Sequence, residues 1–128
     1  MKRIIQTNDA PAPVGPYNQA IQVENLIFIS GQIAIVPATG ELVQSNIEAE
    51  THQVMHNLQA ILSQAGATFD NVVKCSVFVK DMQLYGRINA VYSSYFQDDT
   101  APARELVEVS NLPKFVNVEI SVIAHLKE

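Results

Sequence analysis

The 128 residues include no tryptophan and a single cysteine, Cys75, so an intramolecular disulfide framework and a cysteine-rich metal site are excluded. One thiol in an apolar run fits a reducing compartment, where it behaves as a small hydrophobe. Basic residues are scarce. Eight Lys and Arg against thirteen Asp and Glu give a formal charge of −5, the wrong sign for a general phosphate-backbone binder. Nucleic acid is disfavoured, although a local basic patch stays open. Charged residues of both signs reach only 16%, low enough to hint that other subunits cover part of the surface. No apolar run approaches the ~20 residues of a membrane-spanning helix. Met1-Lys2-Arg3-Ile4-Ile5 runs into polar Gln6-Thr7-Asn8-Asp9, so no secretory leader is expected. A soluble, cytoplasmic protein is the expectation. Phosphate-loop and dinucleotide-type glycine patterns are lacking as well.

What is present is a 48% apolar chain of about one domain's length. Such a chain buries roughly two thirds of the surface it exposes when unfolded, so it needs no metal or disulfide staple. No linker, repeat or low-complexity tract interrupts it, and residues 1–128 are expected to form one domain. The Ala10-Pro11-Ala12-Pro13-Val14-Gly15-Pro16 stretch reads as an ordered loop, because proline fixes φ and lowers the entropy of ordering.

Two segments carry a helical period. Ile47, Val54, Met55, Leu58, Ile61, Leu62 and Ala65 form one stripe, with Ser45 and Glu48 as a capping box and Gly66 as the left-handed stop. The second helix is expected from about Met82 to Phe96, N-capped by Asp81, with Leu84, Tyr85, Ile88, Val91, Tyr92, Tyr95 and Phe96 on one side. The rest reads as strands. Ile21–Val23 and Leu26–Ile29 flank a two-residue hairpin, Asn71–Val79 is β-branched, Leu106–Val109 alternates, and Val116–Ala124 alternates most regularly. The order is βββαβαββ. An α+β fold follows, a mixed sheet of about six strands with two helices packed on one face. The other face, half apolar through Leu106 and Ile123, wants a partner, and a symmetric oligomer is the simplest supply.

Arg104 opens the fifth strand, and parity places it with Leu106 and Glu108 on the uncovered face, the side also assigned to Glu119. An arginine beside a carboxylate is ordinarily an ion pair. The functional alternative is a guanidinium fork holding a substrate carboxylate, leaving Glu119 to activate water. Tyr17 follows the Gly15-Pro16 turn, where tyrosines more often pack than react. Ser30-Gly31-Gln32 offers either a close backbone approach or a simple bulge. His52 and His56, with Glu48 a turn earlier, have the spacing of metal ligands but read better as a solvated helix face. Cys75 reads as inert core.

Together these pieces resemble the RidA (YjgF/YER057c/UK114) family along nearly the whole chain. The matching stretches are Gly15-Pro16-Tyr17, Ile29-Ser30-Gly31-Gln32, Pro37-x-Thr39-Gly40-Glu41, Val72-Val73-Lys74 to Val77-Phe78-Val79-Lys80-Asp81, Asn89, Pro102-Ala103-Arg104, and Leu112-Pro113-Lys114 leading to Val118-Glu119-Ile120. The resemblance implies a YjgF/chorismate-mutase-like fold assembled as a homotrimer, with clefts between subunits. It implies cofactor-free hydrolysis of 2-imino or 2-enamino acids, products of pyridoxal-phosphate-dependent serine and threonine dehydratases, to 2-oxo acids and ammonia. Carried over, Arg104 would grip the substrate carboxylate and Glu119 would position or deprotonate water. Tyr17, Ser30, Gly31 and Asn89 would line the cleft, and backbone groups near Leu106 would hold the imine end. No metal is implied.

Two positions depart from many relatives. Glu105 stands where a small residue is common, and parity points it away from Arg104. Leu106 stands where Cys is common, which excludes a thiol mechanism there. A non-catalytic small-carboxylate module of the same family is the main alternative to the enzyme. A ribonuclease or translation inhibitor, associated with some relatives, is disfavoured by the charge and by the lack of an aromatic–basic stripe.

Overall fold

The computed structural model describes residues 1–127. Six strands, β1 (Lys2–Ile5), β2 (Ala20–Val23), β3 (Leu26–Gln32), β4 (Val72–Val79), β5 (Ala103–Glu108) and β6 (Val118–His125), form one sheet in the order β1-β2-β3-β6-β4-β5. Helix α1 (Ile47–Gln64) links β3 to β4, and α2 (Tyr85–Ser93) links β4 to β5. Only β4 and β5 pair in parallel. A parallel pair needs a crossover of this kind, and α2 supplies it.

The strict alternation at the chain's end makes β6 central. Val118, Ile120, Val122 and Ala124 are buried on one side, with Cys75, Val77 and Val79 of β4 and Ile27 and Ile29 of β3 beside them. The α1 stripe of Val54, Met55, Leu58, Ile61 and Leu62, all at 0% exposure, packs over this surface. Each such side chain contributes about 1.5–3 kcal/mol on leaving water. The β2–β3 hairpin turns at Glu24-Asn25 as expected, with Glu24 in the left-handed region at φ 53°.

Several local expectations shift. The N-cap of α1 is Asn46, whose Oδ1 accepts from Ala49 N at 2.8 Å. Ser45 and Glu48 do not form the expected box, because Glu48 is drawn into a two-pronged pair with Arg87 of α2 at 2.7 Å. Arg87 holds the Glu48 carboxyl down at about 2. At the other end Gly66, at φ 80°, is the left-handed stop. Helix α2 is shorter than its apolar stripe. Asp81 caps a 3-10 turn, Met82–Leu84, before the α-helix begins at Tyr85. Tyr95 and Phe96 lie beyond its end, ring to ring with Phe69. Asn71 belongs to a short turn rather than to β4, because its side chain caps back onto Thr68 N.

The face without helices carries Ile4, Ile21, Phe28, Phe78, Val107 and Ile123 among polar Ser76, Glu119 and Ser121. Leu106 is not among them. It packs against the core beneath the helices.

Candidate active site

The cross-strand register decides where the two chosen side chains point. Cys75 pairs with Arg104, and Phe78 pairs with Glu119. Paired residues share a face and alternate residues along a strand share a face. Cys75 and Phe78 are three apart, so Arg104 and Glu119 lie on opposite faces of the sheet. The expectation that both point to the uncovered side is therefore wrong for Arg104 and Leu106. The physical reason is that β5 is an edge strand. Leu106 and Val107 are adjacent and both apolar, so alternation alone could not say which of them faces the core.

Arg104 sits under α2. Its Nη1 donates to Asn89 Oδ1 at 2.7 Å and its Nη2 to the Tyr85 hydroxyl at 3.1 Å. The guanidinium also lies over the Tyr92 ring, 5.0 Å from its centroid, and 5.8 Å from that of Tyr85. No carboxylate pairs with it among the described residues. The plain ion-pair reading of this arginine is thus replaced by a cation held by neutral groups. Tyr85, Asn89 and Tyr92 recur at i, i+4, i+7 on α2; the two tyrosines belong to the stripe read as apolar packing, whereas Asn89 is the residue that the resemblance places in the cleft. Beneath them Cys75 is fully buried, and burial pushes its thiol up to about 11, which keeps it inert as expected. The Tyr92 hydroxyl is buried with no well-formed hydrogen bond, and its polar neighbour is the Cys75 thiol.

On the opposite face, Glu119 lines a cavity of about 120 Å³ with Tyr17, Gly31, Gln32, Ile33, Ile35, Val14 and the prolines Pro11 and Pro113. Gly31 is where a bulge interrupts the β3–β6 register. A Cβ on Gly31 would come within 2.6 Å of Glu119 Oε2, so the bulge and the close approach are one feature. Glu119 makes no hydrogen bond with a described group, and burial raises its carboxyl above the ordinary range. Ser30 stands next to Gly31, but its hydroxyl is committed to Asn18 O at 2.7 Å. Tyr17 is 48% exposed at the cavity mouth.

Two polar residues to which the sequence assigns no site role complete this side. Gln19, buried, accepts from Thr7 N and donates to Thr7 O, Ala10 O and Pro11 O, which ties down the proline loop. Lys114 is part of the cavity wall. Glu105 points away from Arg104, as expected, and holds Ser76 Oγ at 2.6 Å and Lys74 Nζ at 3.1 Å. The His52 ring shares a 2.8 Å hydrogen bond through Nδ1 with the Tyr95 hydroxyl, and the His56 ring lies tilted to His52 and edge-on to Tyr95. Among the described residues no cluster of three acidic, histidine or cysteine groups could hold a metal ion, and no helix is long and apolar enough to cross a membrane.

One protomer thus presents two separate features: a guanidinium held by Asn89 and Tyr85 under α2, and, on the opposite face, a half-buried carboxylate beside Tyr17 and Gly31. A family model described as endoribonuclease L-PSP matches residues 7–126. A mouse 2-iminobutanoate/2-iminopropanoate deaminase is 44% identical, with 97% of this chain and 91% of the mouse protein covered. The crystal structure of a Thermotoga maritima protein superposes with a TM-score of 0.96 at 48% identity over the whole of both chains. That of TdcF from E. coli, with bound serine, superposes with a TM-score of 0.92 at 35% identity, covering 98% of this chain and 99% of that one. On fold, motifs and relatives alike, the chain belongs to the RidA (endoribonuclease L-PSP) family.

Proposed function

We propose that this protein is a cofactor-free hydrolase that converts reactive 2-imino and 2-enamino acids into 2-oxo acids and ammonia, working as a homotrimer. The observation that carries the reading is Arg104, a guanidinium with no internal acid, oriented by Asn89 and Tyr85 and stacked on Tyr92. A planar fork held this way takes a carboxylate through two charge-assisted hydrogen bonds. Glu119, on the other face, reaches the same substrate only from a neighbouring subunit. The apolar uncovered face, including Phe28, Phe78 and Val107, supports such an assembly. The mouse relative carries this activity in its name, and the E. coli relative holds a small amino acid.

The chemistry needs position more than force. An enamine first takes a proton on carbon and becomes the protonated imine, whose carbon is already electrophilic. Arg104 anchors the carboxylate and Glu119 takes a proton from water as its oxygen bonds to that carbon. That proton passes from Glu119 to nitrogen, and Glu119 then takes the hydroxyl proton as the C–N bond breaks, ammonia leaves, and the oxygen becomes the carbonyl of the 2-oxo acid. The Glu119 carboxylate also stabilises the positive charge on the iminium before attack. Tyr17, Ser30, Gly31 and Asn89 line the cleft, and backbone groups near Leu106 hold the nitrogen end. The free buried thiol of Cys75 fits a reducing cytoplasm.

The test is addition of the purified protein to a threonine dehydratase reaction in which the imine accumulates. Faster release of 2-oxobutanoate supports the hydrolase. Tight 2-oxo acid binding without turnover would instead make the protein a small-carboxylate binding module.

A further inference from the structure

The segment that carries Pro113, Lys114 and Glu119 to the cavity includes strained backbone. Lys114 and Phe115 have φ of 55° and 59°, two consecutive residues in the left-handed region that glycine occupies freely and other residues rarely. Such conformations persist where the surroundings over-determine them. Phe115 is 70% exposed, so burial of its own ring does not supply the constraint.

The constraint lies two residues further on. The Asn117 backbone N–H donates to Glu50 Oε2 at 2.8 Å, its Nδ2 donates to Glu50 Oε1 at 2.9 Å, and its carbonyl accepts from Lys80 N at 3.0 Å. Glu50 is 1% exposed in the first turn of α1 and pairs with no cation among the described residues. A carboxylate that deep is tolerated when both oxygens are hydrogen-bonded, and the positive end of the helix favours it further. Both of its oxygens are spent on one residue, at the point where the strained turn enters β6.

We propose that Glu50 is a positioning residue for the site: its grip on Asn117 locks the left-handed turn at Lys114 and Phe115, and so sets where Glu119 stands against Gly31. The effect passes through the sheet, from the helix layer to the opposite face. It rests on the reading of Glu119 as the group that activates water.

Glu50→Gln keeps the size and still accepts from the Asn117 backbone, but it removes the charge-assisted bond from Asn117 Nδ2, and its amide meets the Asn117 side chain only if that side chain turns over. Glu50→Gln with Asn117→Asp keeps the backbone hydrogen bond and restores a charge-assisted side-chain bond with donor and acceptor exchanged. In the single variant kcat for 2-iminobutanoate should fall about 10- to 100-fold, the scale of a small misplacement of a catalytic group, with KM within about twofold. The Glu119 titration, followed by carboxyl carbon NMR, should move down toward the ordinary carboxylate range as water enters beside it. The double variant should recover most of both. Wild-type kcat and Glu119 titration in Glu50→Gln would overturn the proposal, as would a double variant no better than the single. If the wild-type protein hydrolyses no imine, the functional reading fails, and the NMR titration still decides the role of Glu50. If Glu50→Gln does not fold, Asn117→Ser removes the side-chain bond and keeps the backbone one, and unchanged kcat and titration there would overturn the proposal equally.

Discussion

Arg104 and Glu119 stand back to back, one beneath the helices and one on the open face of the same sheet. No side-chain motion within one protomer brings them to a common substrate, because the sheet lies between them. A site that uses both needs two copies of the chain, and a head-to-tail contact that supplies it closes into a ring when the rotation between copies permits.

That geometry makes a complementation prediction. Arg104→Ala and Glu119→Gln subunits should each be inactive alone. Unfolded together in equal amounts and refolded, they should regain about a quarter of wild-type activity, since one interface in four then joins an intact arginine to an intact glutamate in a closed ring. An activity assay on the refolded mixture decides it. No recovery would mean that the two residues do not share a site.

Arg104→Lys keeps the charge and discards the fork, together with the planar stack on Tyr92. Charge-assisted hydrogen bonds are worth about 1.5–3 kcal/mol, so kcat/KM should fall roughly 10- to 100-fold. The loss should appear mainly in KM. Steady-state kinetics with 2-iminobutanoate provides the check, and activity equal to wild type would remove Arg104 from its role.

Glu119 has a carboxyl raised by burial, which fixes two signs. As a base it must be ionised, so the rate should fall on the acid side with a midpoint above the ordinary glutamate range. For stability the sign is opposite. A raised folded-state value favours the protonated form, so this contribution is present at low pH and is lost as pH rises through that value. Glu119→Gln should lower kcat by about 100- to 10,000-fold, the usual worth of a general base. It should also raise Tm at pH 7, with the gain vanishing in acid. Thermal melts at pH 4 and pH 7 test the second part.

Gly31→Ala places a methyl 2.6 Å from Glu119 Oε2. The obstacle is the far end of a flexible side chain, so the fold should survive with a small change in Tm. The carboxylate should be pushed from its place and the rate should fall more than about tenfold. Unchanged kinetics would show that the Glu119 position is not critical.

Much of this was legible in the sequence for definite reasons. The α1 stripe, the β2–β3 hairpin, the Gly66 stop and the alternation of β6 each state their own geometry over a few neighbouring residues. So does Ser30-Gly31-Gln32, where the missing side chain announces a close approach. The helix caps were less legible. Asn46 and Ser45 are both able caps, and the choice went to Asn46 once Glu48 was taken by Arg87 from another helix.

By itself the sequence determined the element order, the helix-covered core and the residue types of the site, because periodicity and turn chemistry are local. Only the tertiary structure decided which way β5 faces, and with it the separation of Arg104 from Glu119. An edge strand with apolar residues at both parities carries no inside-outside signal of its own. Its face is set by the partner residue that its backbone bonds to, and that pairing exists only in the folded chain.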